Sequence, residues 1–175
     1  MIRELLKYTC GQLEKKNIEY MLSGSIAMTI YATPRFTRDI DIVINLKKED
    51  LNSFLSIFTD TFYINSRTVL EEIEKKGMFN VIDQNSGYKI DFIIKKESDF
   101  RNEEFQRKVY KPIFDFKAWI VSPEDLFISK IIWIQSTPSD MQMSDLRALL
   151  NHKALDKKYI SDWCAKLKLL TYNLV

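Results

Sequence analysis

The stretch Asp39-Ile40-Asp41-Ile42-Val43-Ile44 alternates apolar and other residues with period two, which is the pattern of a β-strand. Ile40, Ile42 and Ile44 share one face, so Asp39 and Asp41 leave the other face together, about 6–7 Å apart. Two bare carboxylates at that distance repel by about 2 kcal/mol at an effective dielectric near 20. Solvent or a cation relieves that repulsion. Hard divalent cations such as Mg²⁺ take oxygens of this kind, usually one or two carboxylates together with substrate phosphates. Taken alone, the Asp-x-Asp pattern reads first as an exposed polar edge.

Small residue counts exclude several other chemistries. The four glycines, Gly11, Gly24, Gly77 and Gly87, are scattered, so neither a Rossmann fingerprint nor a P-loop can be written. One histidine, His152, and two distant cysteines, Cys10 and Cys164, cannot supply a four-ligand zinc site or a disulfide framework. A reducing cytoplasmic location is the simpler expectation. Charged residues at the N-terminus replace the apolar core of a signal peptide, and Leu126 to Ile134 is short and carries Lys130, so no membrane span is expected. With 175 residues, 46% hydrophobic and a net charge of +2, the chain suits one globular domain with at most a small appendage. A purely electrostatic nucleic-acid binder is disfavoured. The chemistry must rest on carboxylates, hydroxyls, lysines and arginines.

The remaining pattern is α/β (α+β) followed by helices. Ile2 to Leu13 reads as a helix, Ile18 to Ser23 as a strand running into Gly24-Ser25, and Ile26 to Tyr31 as a short helix. Leu51 to Phe58 and Ser66 to Lys76 are amphipathic, the second with Gly77 as cap. Met78 to Asp83 and Tyr88 to Ile94 flank Gln84-Asn85-Ser86-Gly87, a hairpin signal, and Phe114 to Val121 reads as a strand. Ser122-Pro123-Glu124-Asp125 opens a helix with Ser as N-cap and Pro at the first position. Helical patterns then cover Ser122 to Gln135, Ser139 to Asn151 and Asp156 to about Tyr172. The expected organisation is an α/β core over residues 1–121 and a helical region over 122–175 packed on it.

Two further features surround the aspartates. Gly24 and Ser25 stand where a strand meets a helix start, and free N–H groups there can hold a phosphate; the same residues also make an ordinary capped turn. Asp91 points away from Tyr88, Ile90 and Phe92, and a lone acid on a sheet face among apolar residues is costly unless a cation shares it. Leu22-Ser23-Gly24-Ser25-Ile26-Ala27, then Arg35 to Ile44, then Lys89-Ile90-Asp91-Phe92-Ile93, together resemble the nucleotidyltransferase superfamily of DNA-polymerase-β type. Gly-Ser, a spacer, Asp-x-Asp and a third Asp occur in the family's order. Val121 to Leu126 with Lys130, followed by Asp145 to Leu150, is similar to the helical region of bacterial AbiEii-type toxin nucleotidyltransferases, although this chain is shorter than those toxins.

The resemblance implies a nucleotidyltransferase fold, with a small mixed sheet flanked by helices, and Mg²⁺-dependent (or Mn²⁺-dependent) transfer of an NMP from an NTP to a hydroxyl. It implies that Asp39, Asp41 and Asp91 bind metal, and that Gly24, Ser25, Arg38, Lys130 and Asp145 bind the nucleotide. Asp39, Asp41, Asp91 and Lys130 are the implied catalytic residues. The acceptor suggested first by the toxin relatives is RNA, especially a tRNA 3′ end, then an aminoglycoside-like small molecule, then a protein hydroxyl; an antitoxin partner is also implied. Arg35 and Arg38 either contact phosphates or only neutralise the aspartates. Two competing readings are a nucleotide-binding module without turnover and an HEPN-like ribonuclease built on Arg147 and His152, which five-residue spacing keeps off one helix face. Tyr110, Trp119, Trp133 and Trp163 can stack on bases but read first as core. Lys157, Lys158, Lys166 and Lys168 read as a solvated helix face.

Overall fold

In the computed structural model, which describes residues 2–32 and 39–175, the strands form one mixed sheet. Its members are β1 (Tyr20–Leu22), β2 (Asp39–Ile44), β3 (Phe62–Tyr63), β4 (Met78–Asp83), β5 (Lys89–Ile94), β6 (Val109–Ile113) and β7 (Phe116–Ile120). Their spatial order is β3-β4-β5-β2-β1-β7-β6. The flanking helices are α1 (Ile2–Lys15), α2 (Gly24–Tyr31), α3 (Leu51–Leu55), α4 (Ser66–Lys75), α5 (Asp99–Gln106), α6 (Pro123–Ile134), α7 (Asp140–Leu150) and α8 (Lys157–Lys166). This is the expected α+β architecture, a mixed sheet flanked by helices. No helix among the described residues is long and apolar enough to cross a membrane.

The sheet has one apolar and one mixed face. Ile40, Ile42 and Ile44 of β2 and Ile90, Phe92 and Ile94 of β5 are buried on the apolar face. There Phe54 of α3 meets the rings of Phe79 and Phe92 at 5.6 and 5.1 Å, edge-on in both cases. The other face carries Asp39, Asp41 and Val43 of β2 beside Lys89, Asp91 and Ile93 of β5, in parallel register. With its apolar side filled, the sheet leaves that second face to the site.

The helical segment after β7 is anchored by a buried acid. Ser122 caps α6, its hydroxyl accepting from the Asp125 amide at 3.1 Å, with Pro123 in the first turn as expected. The fully buried Asp125 carboxylate accepts from the Ser122 hydroxyl at 2.6 Å, Arg107 Nε at 3.0 Å and Tyr159 Oη at 2.8 Å. A buried charge with this many donors is held rather than penalised, and the bonds tie the end of α5 to α6 and α8.

Several elements differ from the sequence reading. The last helix stops at Lys166, because Lys168 turns left-handed at φ 55° and the Leu169 amide closes back on the Cys164 carbonyl. At the end of α4 the left-handed residue is Lys76, at φ 53°, rather than Gly77, whose amide bonds the Glu72 carbonyl at 3.0 Å. Sequence periodicity missed β3, α5 and β6. β6 contains Pro112 and lies at the sheet edge, where a residue without an N–H is tolerated; α5 is charged, and only its Ser98 cap signals it. Three of the four aromatics read as core are exposed instead: Tyr110 and Trp119 pair across the β6–β7 hairpin at 5.1 Å, and Trp133 is 58% exposed. Lys158 and Lys166 do lie on an exposed face, each paired with an aspartate.

Both cysteines are free and buried. Burial pushes the Cys10 thiol up to about 12 and raises Cys164 as well. At pH 8 the native protein is therefore expected to show no fast-reacting thiol towards a disulfide reagent. Two should titrate in denaturant; a rapid native thiol would contradict this packing.

Candidate active site

The site begins where β1 hands over to α2. The Ser23 amide donates to the Asp41 carbonyl at 2.9 Å, which fixes the start of α2 beside β2. Gly24 has φ +53°, and a Cβ on it would fall 1.9 Å from Asp41 Oδ2. Both the left-handed backbone and the close carboxylate therefore require glycine here. The Ser25 amide donates to the Asp41 carboxylate, so the positive end of α2 is turned onto this acid. Even so, burial pushes the Asp41 carboxyl above its ordinary value, and Asp91 and then Asp39 push it further. The Ser25 amide and Lys130 pull the other way.

Asp91 lies opposite Asp41 in the parallel β2–β5 register and is buried. Lys89, two residues earlier on the same face, reaches Asp91 at 2.9 Å and Asp39 at 3.8 Å. Asp39, at the start of β2, has a side chain 59% exposed. Among the described residues no group of three or more His, Cys, Asp or Glu is drawn together as a ready metal cage. The Lys89 ammonium spans Asp91 and Asp39, and Asp39 is the most exposed of the three acids. Sequence reasoning passed over Lys89, although its i−2 spacing from Asp91 places it on the same face.

The opposite wall comes from α6 and α7. Lys130 Nζ donates to Asp145 Oδ2 at 2.8 Å and to Gln142 Oε1 at 3.0 Å, and both Lys130 and Asp145 are buried. Ser129, Lys130 and Trp133 follow helical spacing on α6 and line one cleft with Ser25, Asp41 and Asp91, of about 530 Å³. A second cluster in the cleft was not legible beforehand. Arg101 of α5 donates to Glu104 at 2.8 Å and to the Ser129 hydroxyl at 2.7 Å, and Ser129 donates to the other oxygen of Glu104. Burial pushes the Glu104 carboxyl up against the opposing pull of Arg101.

Arg35 and Arg38 lie outside the described residues. His152 is outside the cleft lining, packed edge-on against the Tyr31 ring at 5.6 Å, with Nδ1 buried and without a hydrogen-bond partner among the described residues. That placement, on a sheet-containing fold rather than an all-helical one, removes the basis for an HEPN-like ribonuclease.

Comparison with known proteins agrees with this architecture. The solution structure of the antibiotic-resistance factor ANT(2″)-Ia superposes with a TM-score of 0.63 at 11% identity, covering 94% of this chain and 90% of that one. The crystal structure of ANT(2″)-Ia in complex with adenylyl-2″-tobramycin gives 0.61 at 13% identity over 94% and 95%. TM1012 from Thermotoga maritima gives 0.52 at 16% identity over 87% and 93%. No curated protein matches in sequence. At these identities the likeness concerns the fold. A family described as "Nucleotidyltransferase of unknown function (DUF6036)" matches residues 4–169. With that match spanning nearly the whole chain, the protein belongs to this nucleotidyltransferase family.

Proposed function

We propose that the protein transfers a nucleoside monophosphate from a nucleoside triphosphate to an acceptor hydroxyl, with a divalent cation held by Asp41 and Asp91 and completed by Asp39. One observation carries this reading: Asp41 and Asp91 stand in register beneath the N-terminus of α2, facing Lys130 across the cleft. The donor set suits a hard cation. It consists of carboxylate oxygens, and burial, with the neighbouring Asp91 and Asp39, holds the Asp41 carboxyl above its ordinary value, a charge that a cation would offset. ANT(2″)-Ia, seen with an adenylylated antibiotic, supports adenylyl-type transfer on this fold.

A divalent cation held by these carboxylates would supply charge neutralisation for the triphosphate and polarisation of its α-phosphorus. Gly24 makes room for the Asp41 carboxylate, and the start of α2 with the Ser25 hydroxyl orients the phosphates. Lys130, steadied by Asp145 and Gln142, meets the charge that develops on the departing pyrophosphate. The acceptor oxygen forms its bond to the α-phosphorus as the bond to the pyrophosphate oxygen breaks, and the hydroxyl proton passes to the Asp91 carboxylate. In this reading the helical region 122–175 contributes Ser129, Lys130 and Trp133 to the cleft, beside Asp41 and Asp91 from residues 1–121.

The test is incubation of the intact protein with each α-labelled NTP and Mg²⁺, with total RNA or hydroxyl-bearing small molecules as acceptor. Label in an acceptor, lost on chelation, is the expected result. NTP binding without any transfer would favour a silent binding module, and neither binding nor transfer would remove the proposal. Gly24→Ala is expected to lower transfer at least about tenfold, since its Cβ displaces the Asp41 carboxylate. Measured kcat/KM at wild-type level would contradict this.

A further inference from the structure

Resting on the proposed transfer reaction and naming its substrate class, we propose that the acceptor carries a phosphate, which is received by Lys95, Lys96 and Arg101 at the far end of the cleft. All three line the same cleft as Asp41 and Asp91. Beyond β5 the backbone stays extended, with the Lys95 amide bonded to the Ile44 carbonyl at 2.9 Å. Lys95 therefore continues the face of Asp91 and Ile93, four residues on, which is about 13 Å at strand rise. Val43 and Ile93 form an apolar floor between the two ends. That is room for a sugar or base between a hydroxyl at Asp91 and a phosphate at the lysines.

The charge at this end is net positive, with Lys95, Lys96 and Arg101 against Glu97 and Glu104, and two of the cations are held in place by those acids. The Lys95 side chain is 12% exposed, and its ammonium is held by Asn102 Oδ1 at 2.6 Å and Glu97 Oε2 at 3.1 Å. Lys96 is exposed and has no ion-pair partner among the described residues. The nearby acid lining the cleft is Glu104, whose oxygens are engaged by Arg101 and Ser129. A nearly buried, tethered ammonium is a preorganised anion contact, unlike the exposed lysines on α8. An aminoglycoside, the polycationic alternative, meets like charge at the same place.

The experiment uses the intact protein and its Lys96→Glu and Lys95→Gln/Lys96→Glu variants. Binding of a short fluorescein-labelled RNA and of a fluorescent nucleoside 5′-monophosphate is measured from about 50 to about 200 mM salt. Mg²⁺-NTP binding is measured in parallel through tryptophan fluorescence, Trp133 being in the cleft. The expected result is at least tenfold weaker binding of the phosphate-bearing probe by the double variant, with a shallower salt dependence and unchanged NTP affinity. Where transfer is detected, the acceptor KM should rise with kcat little changed. RNA binding alone identifies a polymer as the phosphate source, and nucleotide binding identifies a small molecule. Loss of NTP binding in the variants would place these cations on the triphosphate and overturn the inference. Equal use of an uncharged nucleoside or an aminoglycoside, or no binding of either probe by the wild type, would also overturn it. Transfer to those uncharged or cationic acceptors would leave the nucleotidyltransferase reading standing, so the two failures are distinct.

Discussion

Asp41→Asn should abolish nucleotidyl transfer while leaving the protein as stable as before, or more so. The substitution keeps the shape of the side chain and an oxygen for the Ser25 amide, but removes the charge expected to hold the cation. A loss of about 10³-fold in kcat/KM, or about 4 kcal/mol of barrier, is expected. Stability should move the other way. The half-buried Asp41 carboxyl is held above its ordinary pKa by desolvation and by Asp91 and Asp39, so its ionised form costs stability at neutral pH. Thermal unfolding of the variant beside wild type, with labelled-NTP transfer on the same samples, checks both halves. Activity lost together with a lower Tm would show that the charge serves the fold, and the functional reading of Asp41 would fail.

The second large effect is on stability. Lys130→Met removes the ammonium 2.8 Å from the buried Asp145 carboxylate. Removing one partner of a buried ion pair costs about 3 kcal/mol or more, which for a chain of this size lowers Tm by about 6–12 °C. Pairing it with Asp145→Leu should recover most of that loss, since two apolar groups can fill the space of the pair. Transfer should recover in neither protein, because the cation facing the cleft is still absent. If the double variant regained activity, Lys130 would be only a structural partner of Asp145. If the single variant kept its Tm, the pair would be worth no more than a surface bridge.

Both experiments turn on what local sequence can and cannot encode. The period-two alternation of β2, the turn at Gly24-Ser25, the β4–β5 hairpin and the Ser122-Pro123 start of α6 were legible because each is settled within a few residues. Strand pleating, left-handed glycine and helix capping have local causes. The order of Gly-Ser, Asp-x-Asp and a third Asp then pointed to the family by resemblance. β6 and α5 were hidden because an edge position tolerates Pro112, and because α5 buries only Phe100, Glu104 and Phe105 amid charged neighbours.

The sequence by itself determined the strand that presents Asp39 and Asp41 and the glycine turn beside it. Tertiary structure alone decided that Asp41 lies in register with Asp91, that Lys89 sits among the acids and Asp39 is the most exposed of them, and that Lys130 pairs with Asp145. It also decided that Arg101, Glu104 and Ser129 meet in the cleft. Register between distant strands and the burial of a charged pair depend on how the whole sheet and helix layer pack, and a side chain's electrostatic surroundings exist only once that packing has removed water from it.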